Sequence, residues 1–418
     1  MKLKGRFIGF LLFYNCWWAL QAQVVYETAP PEFIKSIVFK SYDQPHQFPV
    51  VGPNTPFYLT FDDLTSTATD YYYRISYYNY DWTPSTLFKN EYMAGMDNLR
   101  IENFRSSFNT LQPYTHYRLE LPNDDTRFLL SGNYMLSIYD SADQLVFSRR
   151  FVINSSEAVV AAGVFRARDL AYYQTHQSIQ FSVQPTREPF RNPEALVKVV
   201  VLQNGQWDRA VTGLKPQYNN GQVLEYRYDE AARYEGGNEF LFFDTKDIRV
   251  SSPNVSYVRL GDRYQSFLYT DAIRNTYPYT YGPDINGDFQ IRTLQGTQDD
   301  AVEADYSWVH FSLSAPYALE QGTVHVIGKF NNYEPSPENQ MRYNASLDGY
   351  ELALLLKQGF YNYRYVIQTE NQILHHAISG NHAATENQYM VLVYYRNFGS
   401  LHDTLVGVGV ASSFEILN

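Results

Sequence analysis

Three kinds of side chain in this sequence stand close enough together to do chemistry. Adjacent acids occur at Asp62-Asp63, Asp124-Asp125 and Asp299-Asp300. A general acid–base pair needs two carboxyls facing one substrate. Neighbours on a strand point to opposite faces, so adjacency alone makes no such pair. Asp62-Asp63 follows the apolar alternation that ends at Phe61 and suits a turn. Asp284, Asn286 and Asp288 have the spacing of the first ligands of a calcium loop. The loop glycine is displaced, however, and position twelve is Gln295 rather than Glu, so the run reads as a hairpin turn around Asn286-Gly287. His375, His376 and His382 cluster, but no further ligand stands at a recognised spacing, and they read as surface or turn histidines.

Other catalytic signatures fail in turn. The chain has no G-x-S-x-G elbow, no phosphate-cradling G-x-x-x-x-G-K-[ST], no H-E-x-x-H and no C-x-x-C. No enzyme, cofactor or metal centre is expected. The net charge of −11 argues against a nucleic-acid partner, which calls for a basic footprint. Charged residues make up only 18% of the 418 residues and aromatics 17%, so the chain has the apolar surface to fold. With 38 Tyr and 27 Phe, residues that favour pleated, half-buried surfaces, the composition leans towards β-structure.

Residues 1–22 read as a signal peptide. Lys2, Lys4 and Arg6 precede an apolar run from Phe7 to Leu20, and Ala22 supplies a small residue for cleavage. The run is short of the ~20 residues that span a bilayer well, and no other approaches that length. The only cysteine, Cys16, lies inside it. An exported chain without disulfides fits a bacterial periplasm or cell surface.

Beyond it, period-two patterns recur: Phe57, Leu59, Phe61; Tyr134, Leu136, Ile138; Val309, Phe311, Leu313; Tyr389, Val391, Val393, Tyr395. Val197, Val199 and Val201 lie in an almost continuous apolar strand. Turn residues such as Ser131-Gly132-Asn133, Asn219-Asn220-Gly221 and Gly236-Gly237-Asn238 separate the runs, and no stretch sustains a helical period. The fold class expected is all-β: three consecutive immunoglobulin-like or E-set-like β-sandwiches. Polar joints at Asn154 to Glu157 and Gly296 to Asp300 predict domains at 24–154, 155–297 and 298–418. Short joints imply stacked domains with little freedom.

The first domain resembles a specific family. The residues are Phe61-Asp62-Asp63-Leu64, Asn79-Tyr80-Asp81-Trp82, Glu91-Tyr92-Met93-Ala94-Gly95, Ser106-Ser107-Phe108-Asn109-Thr110, Tyr114, His116-Tyr117, Leu121-Pro122-Asn123, Ser131-Gly132-Asn133-Tyr134 and Arg149-Arg150-Phe151. In this order they resemble the first domain of the type IX secretion system plug protein of Bacteroidota. One departure is Tyr77-Tyr78, where His-Cys is common in the family; no chemistry depends on it. The resemblance implies a non-enzymatic periplasmic protein at the inner side of the outer membrane. Its partner would be the outer-membrane translocon barrel, whose periplasmic end it closes reversibly. Within that reading, ring-bearing segments near turns are the expected contacts: Tyr78, Tyr80 and Trp82 at a domain tip, and Tyr277, Tyr279 and Tyr281 on one strand face. The plainer reading of these rings is sheet faces covered by neighbouring domains. Val324 to Tyr333 with Gly359 to Tyr365 also resembles an early-set domain of the glycogen-binding type, with Tyr333 where sugar binders carry Trp. This keeps a carbohydrate-binding β-sandwich module as the alternative function.

Overall fold

The computed structural model describes residues 23–65, 67–297, 299–315, 319 and 322–417; the expected signal peptide at 1–22 lies outside them. Alternation builds the first sandwich as the sequence predicts. Phe57, Leu59 and Phe61 of the strand Phe57–Asp63 and Tyr134, Leu136 and Ile138 of the strand Gly132–Tyr139 face a common core with Phe147 and Phe151. One sheet runs Ile34–Ser41, Phe57–Asp63, Thr115–Leu121, Asn103–Ser106. The other runs Val50–Val51, Leu145–Ile153, Gly132–Tyr139, Tyr72–Tyr78, Leu99–Arg100. At the polar joint the Asn154 N–H donates to the Val51 carbonyl (2.8 Å) and the Ser155 N–H to the Leu405 carbonyl (3.0 Å).

That second bond already departs from a simple succession of domains. The middle sandwich has one sheet built on Ala158–Arg166 and His176–Pro185. Its other sheet runs Gln206–Thr212, Val197–Gln203, Gln388–Tyr395, Thr404–Ser412. The last two strands come from the far end of the chain. Between them and the rest, the chain builds the third sandwich, whose sheets centre on Gly359–Gln368 and on Tyr306–Ser314 paired with Gly349–Lys357. The boundary expected at 297–298 is therefore corrected. Phe289–Ile291, before it, pairs with Gly359–Gln368 after it, and Val197–Gln203 pairs with Gln388–Tyr395 in register Val199↔Val393. The third sandwich is nested inside the middle one rather than following it. Alternation reveals which face of a strand is apolar, and it leaves the partner strand unspecified.

The chain leaves and re-enters the middle sandwich at one crossing, and glycine is required there. A Cβ on Gly236 would lie 2.1 Å from the His382 carbonyl oxygen, and Gly237 has φ +73° against the His376 ring. The continuous apolar strand at 197–203 also gains its reason. Val197, Val199 and Val201 face the middle core, while Val200 and Leu202 join Val152, Leu392, Tyr394 and Leu405 in a separate cluster against the first sandwich. Both faces are covered, so both are apolar.

Asn286-Gly287 forms a turn, with φ +54° and +84° and an Asp288 N–H bond to the Ile285 carbonyl (3.1 Å). It closes no hairpin, because the residues before it form no strand; Pro278 and Pro283 remove main-chain donors there.

Tyrosine is the chief large residue of the cores. Buried hydroxyls need partners, and most have one: Tyr71 donates to Asp63, Tyr134 to the Leu130 carbonyl, Tyr363 and Tyr365 to Asp271, Tyr389 to Gln177 and Tyr394 to Asn133.

Candidate partner surface and the seams beneath it

The residues that looked chemical in the sequence lie mostly where the sandwiches meet. Asp62 is the plainest case. It belongs to the strand Phe57–Asp63 and is fully buried, so it serves no turn. Its carboxylate accepts from Lys357 Nζ (2.6 Å) and Tyr306 Oη (2.7 Å), both of the third sandwich, and lies 2.6 Å from His116 Nδ1. Burial pushes the Asp62 pKa up, but Lys357 and the His116 hydrogen bond outweigh it and hold the carboxyl below the ordinary range. Lys357 also donates to the Ala301 carbonyl and sits 4.1 Å over the Tyr114 ring. Asp63 points the other way, to Tyr71 and the Thr65 turn, as opposite faces of a strand require. Asp299 meets Arg105 across the same seam.

The first group of expected contacts belongs to another seam. Trp82, at φ +63°, is only 2% exposed. Its ring meets Trp207 of the middle sandwich edge-on at 5.0 Å, with the Arg150 guanidinium 4.3 Å over it. Tyr80 faces Tyr394 at 6.2 Å, and half-buried Tyr78 lies against Trp82. The tip exists, but Trp207 on the strand Gln206–Thr212 and the Arg150 guanidinium cover Trp82. It is not a free docking ring.

The second group is split. Tyr277 is 53% and Tyr281 50% exposed, in an irregular segment rather than on a strand face. Tyr279 turns inward and donates to Glu239. Phe414 extends the exposed pair, 6.4 Å from Tyr281. A second exposed aromatic feature lies on the outer face of the third sandwich. Tyr257, Phe267 and His310 stack ring on ring at 4.4 and 4.1 Å, with Arg259 over Phe267. The sequence hid this ladder because the register of three strands assembles it.

The calcium-like triplet serves the turn and a seam. Asp284 accepts the Phe240 and Asn286 N–H groups, both at 2.6 Å. Asp288 accepts from Gln47 Nε2 (2.6 Å) and the Phe289 N–H (2.8 Å). Burial pushes both carboxyls up to about 6. His376 is buried and His375 half-buried at the crossing, because the returning chain packs there against Arg364 and Glu235. Burial pushes His375 down to about 3 and His376 well below its usual value, so both are neutral. Among the described residues no three His, Cys, Asp or Glu side chains stand as a metal-holding group. Tyr333, the position of the sugar-binding Trp, is 7% exposed and donates to the Asn286 carbonyl, so its ring offers no stacking surface.

Among the described residues no helix is long and apolar enough to cross a membrane. Residues 34–155 match the family model of the type 9 secretion system plug protein 1st domain. A crystal structure of a hypothetical protein from Parabacteroides merdae ATCC 43184 is similar over 93% of this chain and all of that chain, at 31% identity and a TM-score of 0.88. A comparison with curated proteins gave no match.

Proposed function

The chain belongs to the type IX secretion system plug family, and on that premise we propose that it is a periplasmic stopper for the outer-membrane translocon barrel. It rests against the inner side of the outer membrane, closes the periplasmic end of the barrel reversibly, and acts by contact without catalysis. The observation that carries this reading is the match of the first sandwich, residues 34–155, to the plug protein's first domain.

The geometry fits the task. A stopper has to hold its shape under load, and here the third sandwich is nested within the middle one while both are seamed to the first by buried contacts. A reversible contact also has to be modest in area, with exposed rings inside a polar rim. Tyr277 and Tyr281, beside Glu386 and Phe414, meet that description and are the contact we assign.

The test is an affinity capture from mildly solubilised outer membranes, using the full chain with a C-terminal tag. Recovery of a very large barrel protein in near-equal amount, absent from the tag control, is the expected result. Recovery of the chain alone, from cells whose translocon is intact and detectable, overturns the assignment and turns attention to glycan matrices.

A further inference from the structure

Glu239 sits at the seam where the chain has just left the middle sandwich, and it is 4% exposed. One carboxyl oxygen, Oε1, accepts from Tyr279 Oη and from the Glu386 N–H (3.1 Å). The other, Oε2, is buried with no hydrogen-bond donor on it among the described residues. The neighbour in hydrogen-bonding contact with this carboxyl is a second carboxyl, Asp284. Both Asp284 oxygens are already taken by main-chain N–H groups of Phe240 and Asn286. Two acceptors in contact with no donor between them repel unless a proton is shared.

Arg274 faces the pair and its positive charge interacts with the Glu239 carboxyl, but the burial of that carboxyl outweighs it. Arg274 spends its guanidinium on the Glu239 carbonyl oxygen (2.9 Å). Glu386 adds a further negative charge, Tyr279 and Tyr281 are neutral phenols, and His382 lies tilted against Tyr279 at 5.6 Å with its pKa lowered by burial. The pair also controls a particular segment. Between Thr276 and Pro283 the main chain makes one described hydrogen bond, the Tyr277 N–H to the Arg274 carbonyl. Tyr279 on Glu239 and the bonds of Asp284 hold the rest of it down.

We infer that Glu239 and Asp284 form a shared-proton latch that fixes the aromatic segment 276–284 and opens when the pair loses its proton. Burial pushes Glu239 up to about 7 and Asp284 up to about 6, which places the change near neutrality. Both folded values lie above the unfolded ones. The latch is therefore fully closed below the ordinary carboxylate range and weakens as pH rises through about 6 to about 7. The latch is a property of the chain alone; only its use in releasing a barrel rests on the plug reading.

Hydrogen exchange of the full chain, corrected for intrinsic rates, tests it between about pH 5.5 and about pH 8.5, a window that brackets the two values. Protection of the Tyr277 amide and of the amides that the pair holds, those of Phe240, Asn286 and Glu386, should fall by about tenfold or more while both cores stay protected, since one proton gives up to tenfold per pH unit. Glu239→Gln keeps an acceptor for Tyr279 and adds a donor towards Asp284. It should make the segment's protection independent of pH. Infrared spectra of the unmodified chain should show, beside the contribution of Asp288, a protonated carboxyl persisting well above about pH 5 that Glu239→Gln removes. Segment protection that does not change with pH, or that changes only with the whole chain, overturns the latch, as does the lack of that carboxyl band. Failure of barrel capture leaves these readouts untouched.

Discussion

Where the first sandwich meets the middle one, Val50 and Val152 join Val200, Leu202, Leu392 and Tyr394 in one apolar cluster. Where it meets the third, the buried contact is Asp62 with Lys357, Tyr306 and His116. The two seams lie on one small domain and use opposite chemistry. Apolar packing is undirected, and its strength follows area and fit. A buried ion pair adds little net stability over an apolar pair of the same shape, yet removing one partner is very costly. The first seam supplies adhesion; the second dictates which arrangement is tolerated.

The sharpest way to break this contrast is to orphan one charge. Lys357→Ala leaves the buried Asp62 without its lysine counter-charge, with only Tyr306 and His116 beside it, and should lower stability by about 3–5 kcal/mol in chemical denaturation. Asp62→Leu combined with Lys357→Met should recover most of that loss. If it does not, the pair is a source of adhesion after all.

Next comes the apolar seam. Leu392→Ala should cost about 2–5 kcal/mol through transfer and cavity terms, with the same cost at low and high salt. A strong salt dependence would erase the distinction between the seams.

Acid should separate them more gently. Asp62 has a depressed pKa, so its contribution is present above about pH 4, the unfolded carboxylate range, and is lost as pH falls through the lower folded value. Hydrogen exchange at falling pH should open residues 299–306 before residues 388–395. Simultaneous opening would mean that the seams fail as one.

The smallest effect belongs to the surface. Tyr277→Ala with Tyr281→Ala should change stability by within about 0.5 kcal/mol and weaken barrel capture, while Tyr279→Phe should loosen the segment by removing the donor to Glu239. Equal melting changes for these variants would show that the exposed rings are structural too.

Much was legible beforehand, for identifiable reasons. The alternations at Phe57 to Phe61 and Val309 to Leu313 bury as read, because a period of two fixes a strand's faces. Misreadings arose where a residue's partner comes from far along the chain. Asp62 looked like a turn residue because Lys357 and Tyr306 are remote in sequence. Trp82 looked like a tip because Trp207, which covers it, lies on the strand Gln206–Thr212 of the middle sandwich, more than a hundred residues further along the chain. The ring ladder of Tyr257, Phe267 and His310 carries no sequence signal, since it depends on register across three strands. Several residues that carried the family resemblance, among them Asp62, Tyr80, Trp82, Tyr114 and Asn133, turn out to face the other two sandwiches.

By itself the sequence determined the all-β class, the strand faces and the first domain's family. These are local quantities: side-chain period, turn chemistry and residue order. The nesting of the third sandwich, the glycine crossing at 236–237 and the two unlike seams were decided only in three dimensions. Each depends on which distant strand completes a sheet, and the free energy of that choice resides in pairing and burial between segments more than a hundred residues apart.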